Sequence, residues 1–184
     1  MSVALPRNGQ SSRGSLLQWA GLALALSVPL AWGTGRGPAQ TAGPRTYPPI
    51  LPEARAETYK TLGQTNLQLY IFTPGSHAAT NRCPAIVFFF GGGWTTGSPQ
   101  QFEQQCRYFA SRGMVAITAD YRVASRQGVK PPQCVADAKS AIRWVRKHAA
   151  QLGVDPNRIV AAGGSAGGPL AAAAAVVAAR APPR

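Results

Sequence analysis

Four stretches of the chain have the hydrophobic pattern of β-strands. Apolar residues alternate with polar ones over residues 65–72, which predicts a strand with one polar face. Three later stretches are almost entirely apolar, as is typical of strands that are buried on both faces of a sheet. These three runs cover residues 85–90, 114–119 and 158–162.

Helical signals separate these strands. Ser98 and Pro99 form a typical helix start, and apolar residues then recur at helical spacing until Gly113. Apolar residues also repeat at spacings of three and four over residues 135–152, which predicts a long amphipathic helix. A further apolar helix is expected over residues 169–180. Buried strands separated by amphipathic helices predict an α/β fold, with a mostly parallel sheet and flanking helices.

The first 56 residues have a different character. A basic start precedes a short apolar run over residues 16–28, which predicts a secretory signal peptide within residues 1–39. Because a membrane span needs about 20 apolar residues, an N-terminal membrane anchor is the less favoured alternative. Residues 40–56 are rich in proline and glycine and are expected to form a linker. We therefore expect a folded domain over residues 57–184, in a secreted or periplasmic protein with no stable membrane span.

The chain carries 19 basic and 6 acidic side chains among 184 residues, a net charge of +13. Such an excess suggests a nucleic-acid partner. The basic residues are spread along the chain, however, and no aromatic residues alternate with them as they do on a surface that binds single strands. We therefore expect no specific nucleic-acid partner. The largest basic group, Lys139, Arg143, Arg146 and Lys147, is expected to be a solvated helix face.

Two aspartates have structural interpretations rather than catalytic ones. Asp120 directly follows a predicted strand and is expected to pair with Arg122 or to cap the chain there. Asp137 lies early in the long helix and is expected to complement the helix dipole.

Three cysteines are too few for a disulfide scaffold and lack the CxxC spacing of a metal site, so neither a metal nor a cofactor is expected. Cys106 and Cys134 could form a disulfide after export, which would leave Cys83 unpaired. Three separate buried thiols are the alternative, and the sequence does not decide between the two arrangements.

Residues 163–167 have the sequence Gly-Gly-Ser-Ala-Gly and lie between a predicted strand and a predicted helix. A Gly-x-Ser-x-Gly turn in that position forces the serine into a strained conformation, and its small residues prevent the strand and the helix from colliding. The hydroxyl of Ser165 is then exposed at the carboxyl edge of the sheet, beside the positive end of the following helix. Ser165 is therefore the candidate nucleophile.

A second glycine cluster, over residues 91–93, leaves the end of an earlier buried strand. Consecutive glycines let backbone N–H groups approach a ligand without obstruction by side chains. Two such donors, together with the N–H group of the residue after Ser165, would stabilise the oxyanion of an acyl-transfer intermediate. A nucleotide site is rejected, because the turn over residues 163–168 lacks both the G-x-G-x-x-G spacing and the P-loop lysine.

With these motifs, the sequence resembles α/β-hydrolase esterases of the hormone-sensitive-lipase-like and xylan-esterase-like kind. The resemblance covers roughly residues 57–170. The residues that carry it are 88–94 with Gly97 and Ser98, 120–122, 155–159 and 163–168. It implies hydrolysis of carboxylic esters through an acyl-enzyme on Ser165, with the N–H groups of Gly92, Gly93 and Ala166 as the oxyanion hole. The implied substrates are small-molecule esters, or acetyl and feruloyl esters on plant polysaccharide.

Two features depart from the family pattern. Phe90 stands where the family usually has histidine, which leaves the backbone donors intact. More seriously, no histidine, aspartate or glutamate follows Ser165, although the triad of this fold has the order serine, acid, histidine. The two histidines of the chain, His77 and His148, both precede the serine. We therefore expect a truncated or frame-shifted hydrolase with little or no turnover, or alternatively a non-catalytic fragment with at most a binding role.

Overall fold

The computed structural model describes residues 46–178. The expected signal peptide over residues 1–39, the first part of the expected linker and the end of the last predicted helix lie outside these residues. The strands are β1 (Arg55–Leu62), β2 (Thr65–Phe72), β3 (Cys83–Phe89), β4 (Val115–Ala119) and β5 (Val154–Gly163). The helices are α1 (Glu103–Ser111), preceded by a 3₁₀ turn over Pro99–Phe102, α2 (Ala124–Gln127), α3 (Pro131–Lys147) and α4 (Gly167–Ala178). Within residues 46–178, no helix has the length and apolar character needed to cross a membrane.

The five strands form one mixed sheet in the order β1-β2-β4-β3-β5. Strands β3, β4 and β5 are parallel, while β2 pairs antiparallel with both β1 and β4. Parallel neighbours need crossover connections, and α1 and α3 supply them. The α/β class and the flanking helices are confirmed, and the antiparallel strands are confined to one side of the sheet. The carboxyl ends of the three parallel strands therefore meet at one edge.

Both faces of the sheet are covered by helices. One face packs on α3 and α4 and includes Val87 and Ile117, both fully buried. The other face packs on α1 and includes Phe88 and Ala116, the next residues along the same two strands. Each buried valine, isoleucine or phenylalanine side chain stabilises the fold by roughly 1.5–3 kcal/mol. Burial on both faces explains why the runs that form β3 and β4 are continuously apolar.

The folded part begins earlier than residue 57. Strand β1 starts at Arg55, and Leu51 is buried against the cluster of apolar residues under α1. Part of the expected linker is thus packed against the domain. Strand β1 was not predicted, because Tyr59 is its one buried side chain and most of its other residues are polar.

The three cysteines are free thiols. Cys106 is buried on the α1 face of the sheet, whereas Cys134 is buried on the α3 face. A disulfide between them is therefore wrong, because the sheet lies between the two sulfur atoms. Of the two alternatives, the structure has separate thiols, with Cys83 only half buried.

Candidate active site

Ser165 occupies a tight turn between β5 and α4. Its φ angle is +51°, a left-handed conformation that non-glycine residues rarely adopt. The strand ends two residues before the serine and the helix begins two residues after it, so the turn presents the side chain outwards, where it is exposed. A strained, exposed serine at the carboxyl edge of a parallel sheet has the geometry of a nucleophile.

The glycine loop, residues 91–97, leaves the end of β3 beside this turn. A Cβ atom placed on Gly91 would lie 3.2 Å from the Cβ atom of Ser165, so the loop and the serine are in direct contact. The N–H group of Gly91 donates to Oε1 of Gln101 at 2.6 Å, which fixes the start of the loop. The carbonyl oxygen of Gly92 accepts from the amides of Thr95 and Thr96, each at 3.0 Å, and closes the loop on itself.

Several backbone amides at this edge have no hydrogen-bond acceptor among residues 46–178. They include those of Gly92, Gly93 and Ala166. Buried N–H groups are nearly always paired, so the free amide of Ala166, a residue only 5% exposed, is unusual. The structure therefore leaves available the three donors that the family resemblance implies for an oxyanion.

The serine and the glycine loop line one open cleft of about 480 Å³. Its wall consists of Gly91, Gly92, Thr96, Gly97, Gln101, Phe102, Gln105, Gly164 and Ser165. None of these residues carries a charge, which suits a neutral ligand. No group of three or more histidine, cysteine, aspartate or glutamate side chains within residues 46–178 converges as a metal site would.

Both histidines lie at the opposite edge of the sheet. Nε2 of His77 is 2.8 Å from the carbonyl oxygen of Leu152, and its Nδ1 is 3.8 Å from the sulfur of Cys83, where β3 begins. The serine turn contacts the other end of that strand, roughly 20 Å away at about 3.3 Å per residue. His148 follows α3 and stacks on Trp144, also at the amino edge. Neither imidazole can therefore take a proton from Ser165.

Asp120 does not pair with Arg122, so that part of the sequence interpretation is wrong. The carboxyl group of Asp120 is buried at the end of β4, where it accepts a hydrogen bond from the hydroxyl of Tyr47. The guanidinium of Arg126 lies 3.8 Å from its Oδ1 atom. Burial raises the pKa of Asp120 to about 6, although the hydrogen bond from Tyr47 and the charge of Arg126 oppose the shift.

The contribution of Asp120 to stability is expected to fall as pH rises. Its pKa is about 6 in the folded state against an ordinary value of 3.8, so the folded protein holds this proton more tightly than the unfolded chain does. This contribution to stability is complete below the pKa of the unfolded chain. It is lost as pH rises through the pKa of the folded protein. Between about pH 4.5 and about pH 7.5, wild type should lose about 2 kcal/mol of unfolding free energy relative to Asp120→Asn. Urea unfolding at both pH values measures this difference, and an unchanged difference would contradict the expectation.

Arg122 instead pairs with Asp137. Nε and Nη2 of Arg122 donate to the Asp137 carboxylate at 2.8 and 3.0 Å, and Nζ of Lys60 donates to it at 2.7 Å. Asp137 is buried in the second turn of α3, beyond the first turn to which a helix-dipole effect is confined, so the dipole interpretation is also wrong. The buried salt bridges of Asp137 with Lys60 and Arg122 instead connect three parts of the fold. These are β1, the segment that follows β4, and α3.

Comparison with known proteins agrees with this geometry. The BD-FAE family matches residues 69–181. The carboxylesterase NlhH of Mycobacterium tuberculosis is 34% identical over 121 residues, which are 64% of this chain and 37% of that protein. The esterase LipI of the same species is 33% identical over 116 residues, 62% of this chain and 36% of its own length.

Solved structures of esterase 2 from Thermogutta terrifontis are also similar. The native enzyme has a TM-score of 0.68 and 63% sequence identity, over 69% of this chain and 45% of that one. Its form phosphorylated by paraoxon has a TM-score of 0.67 and 62% identity, over 69% and 49% of the two chains. This chain thus spans less than half the length of these relatives. Because the family match covers most of the described residues, the chain belongs to the BD-FAE family and has the α/β-hydrolase fold of these esterases.

Proposed function

We propose that this protein is a hydrolase of carboxylic esters that uses Ser165 as its nucleophile. The observation that carries the proposal is the contact between the strained serine turn and a glycine loop with free amides. The serine oxygen attacks the ester carbonyl carbon while its proton passes to a base. The carbonyl oxygen becomes an oxyanion that accepts hydrogen bonds from Gly92, Gly93 and Ala166. Collapse of this intermediate breaks the ester C–O bond, and the protonated base returns its proton to the departing alcohol. Water then hydrolyses the acyl-serine to the free acid and restores Ser165.

The base is the component that the described residues do not provide. Both histidines of the chain lie at the opposite edge of the sheet from Ser165. An oxyanion hole and substrate binding alone still leave roughly 10³–10⁴-fold acceleration in a serine hydrolase without its triad. For the chain of 184 residues, little or no turnover is therefore expected, with reactivity that depends on an added base.

The cleft favours small, neutral esters. Glycine backbone and uncharged side chains form its wall. Forms of the Thermogutta esterase with bound propionate and butyrate support short acyl groups. Esters attached to polysaccharide are an extension of this proposal, for which the exposed amide of Gln105 offers hydrogen bonds at the rim.

Export is the second part of the proposal. The apolar run over residues 16–28 after a basic start supports a cleaved signal peptide. Sequencing the N-terminus of protein recovered outside the producing cell tests this directly. An intact N-terminus on membrane-bound protein would instead favour the anchor.

Covalent labelling of Ser165 by a fluorophosphonate tests the catalytic part. Phosphorylation of the Thermogutta esterase by paraoxon makes this class of probe appropriate. Imidazole added to the solution can act as the missing base. Labelling is expected to increase with imidazole concentration, as measured by mass spectrometry of the peptide that contains residue 165.

Two controls make the labelling specific. Ser165→Ala should remove the label from that peptide, and the exposed Ser111 should remain unlabelled under the same conditions. Absence of label on Ser165 at every imidazole concentration would refute the proposal. It would instead favour a fragment that binds esters or other ligands without reacting with them.

A further inference from the structure

We propose that Arg126 is a positioning residue that holds the glycine loop in the shape in which its amides face the cleft. Nη1 of Arg126 donates to the carbonyl oxygen of Gly97 at 2.7 Å. The consequence for ester hydrolysis depends on the proposed function, but the restraint on the loop does not.

Helix α2 binds the loop at three successive points. The N–H group of Ala124 donates to the carbonyl oxygen of Trp94 at 2.9 Å, and that of Ser125 donates to the carbonyl oxygen of Thr95 at 3.0 Å. The contact from Arg126 to Gly97 is the third. Two of these bonds come from the backbone, so Arg126 supplies the one side chain that ties this helix to the far end of the loop.

Gly97 transmits the restraint towards the serine. A Cβ atom on Gly97 would lie 2.3 Å from the carbonyl oxygen of Gly91, so the two ends of the loop are packed together. Gly91 in turn contacts Ser165. A guanidinium that fixes Gly97 therefore fixes the side of the loop that touches the nucleophile.

The loop needs an external restraint because its backbone conformation is energetically unfavourable. Gly92, Gly93 and Gly97 have φ angles of +137°, +61° and +108°, and Trp94, which has a side chain, has +59°. A left-handed conformation is unfavourable for a residue with a side chain, because its Cβ atom approaches the following carbonyl oxygen. Glycines, for their part, have many conformations to lose on ordering. Contacts from outside the loop must offset both costs.

Charge and stacking hold Arg126 in place. Its Cζ atom lies 3.8 Å from the centre of the Tyr47 ring, close enough for a cation–π contact. The buried carboxylate of Asp120 faces Nη2 at 3.8 Å and is itself bound by the hydroxyl of Tyr47. The Nε and Nη2 atoms of Arg126 have no hydrogen-bond acceptor among residues 46–178. The guanidinium is therefore oriented by its neighbours and directs one nitrogen at Gly97.

Hydrogen exchange of the loop amides, followed by mass spectrometry on the full chain, tests this role without requiring activity. Arg126→Met keeps the length of the side chain and removes the donor and the charge. Exchange in the peptide that contains residues 91–97 is expected to become about tenfold faster, as for loss of one hydrogen bond from a charged group. Arg143→Met, on the exposed face of α3, is the matched control and should leave the loop unchanged.

Two further variants separate positioning from general stability. Arg126→Lys keeps the charge but not the planar stacking, so it should recover part of the protection. Tyr47→Ala removes the ring next to the guanidinium at a half-exposed position, so the domain should fold and the loop should exchange faster. If Arg126→Met does not fold, the exchange of the loop in Tyr47→Ala still tests whether the guanidinium of Arg126 holds the loop.

Unchanged exchange of the loop in the folded variants, or equal acceleration in the peptides of β3 and β4, would overturn the proposal.

Labelling of Ser165 is measured in parallel. If wild type is labelled, Arg126→Met should react about tenfold more slowly with the same apparent affinity for the probe. If wild type is not labelled, the proposed function fails, while loop exchange still decides the role of Arg126.

Discussion

Replacing Asp137 by alanine is expected to lower the free energy of unfolding by about 3–5 kcal/mol. Its side chain is fully buried, and it is the carboxylate that faces both Lys60 and Arg122. These two cations are only 23% and 18% exposed, so water would replace the lost partner poorly. Two nearly buried positive charges would then face each other without a counter-charge. Urea unfolding followed by circular dichroism measures the change.

Glu57→Ala is the control for Asp137→Ala, because it removes a carboxylate from an exposed pair. Glu57 lies 3.3 Å from Arg55 on the edge strand, where water solvates both groups. Surface pairs of this kind contribute about 0–1 kcal/mol. Similar losses in the two variants would show that the Asp137 group does not hold β1 and α3 together.

The sequence indicates that Asp137 is buried, a signal that was not used when Asp137 was interpreted as a partner of the helix dipole. Cys134, Asp137 and Ala141 lie on one stripe of α3, at spacings of three and four, and all are buried. A charge on an apolar stripe implies a buried counter-charge. Which cations supply it could not be predicted, because Lys60 and Arg122 are distant in sequence and reach the site only through the order of the strands.

The hydrophobic pattern predicted those strands whose burial on both faces requires apolar residues at every position. Strand β3, buried on both faces, is predicted nearly to its end, and β4 to within one residue. Strand β1 has a sequence that gives no such signal, because it is held at the edge mainly by backbone pairing with β2. Backbone hydrogen bonds place no requirement on side chains, so an edge strand of this kind is not visible in the hydrophobic pattern.

The meeting of the two glycine clusters was predictable, whereas the support of the loop was not. Both clusters follow parallel strands that are neighbours in the sheet, so their carboxyl ends had to meet at one edge. Arg126 acts on the loop through Gly97 and is oriented by Tyr47, a residue within the expected linker. No periodicity or motif links residues so far apart in the sequence.

Gly167→Ala is expected to lower the free energy of unfolding by about 3–4 kcal/mol, more than the usual cost of an overpacked core. A Cβ atom at this position would lie 1.9 Å from the carbonyl oxygen of Phe89 and 2.7 Å from that of Phe90. Both atoms are backbone at the end of β3, where Phe89 pairs with Gly163 across the sheet. Neither can move without opening the sheet or lifting the serine turn away from it, so labelling of Ser165 should be lost as well.

Gly168→Ala provides the matched control within the same helical turn. The nearest atom to a Cβ there is the carbonyl oxygen of Gly163 at 3.8 Å, an ordinary contact distance. Because alanine favours helix over glycine by about 1 kcal/mol, Gly168→Ala should be neutral or stabilising. The same substitution at two neighbouring glycines is thus expected to lower the free energy of unfolding at residue 167 and not at residue 168. Thermal and urea unfolding of the two variants measure this, and equal effects would mean that the serine turn is not pressed against β3.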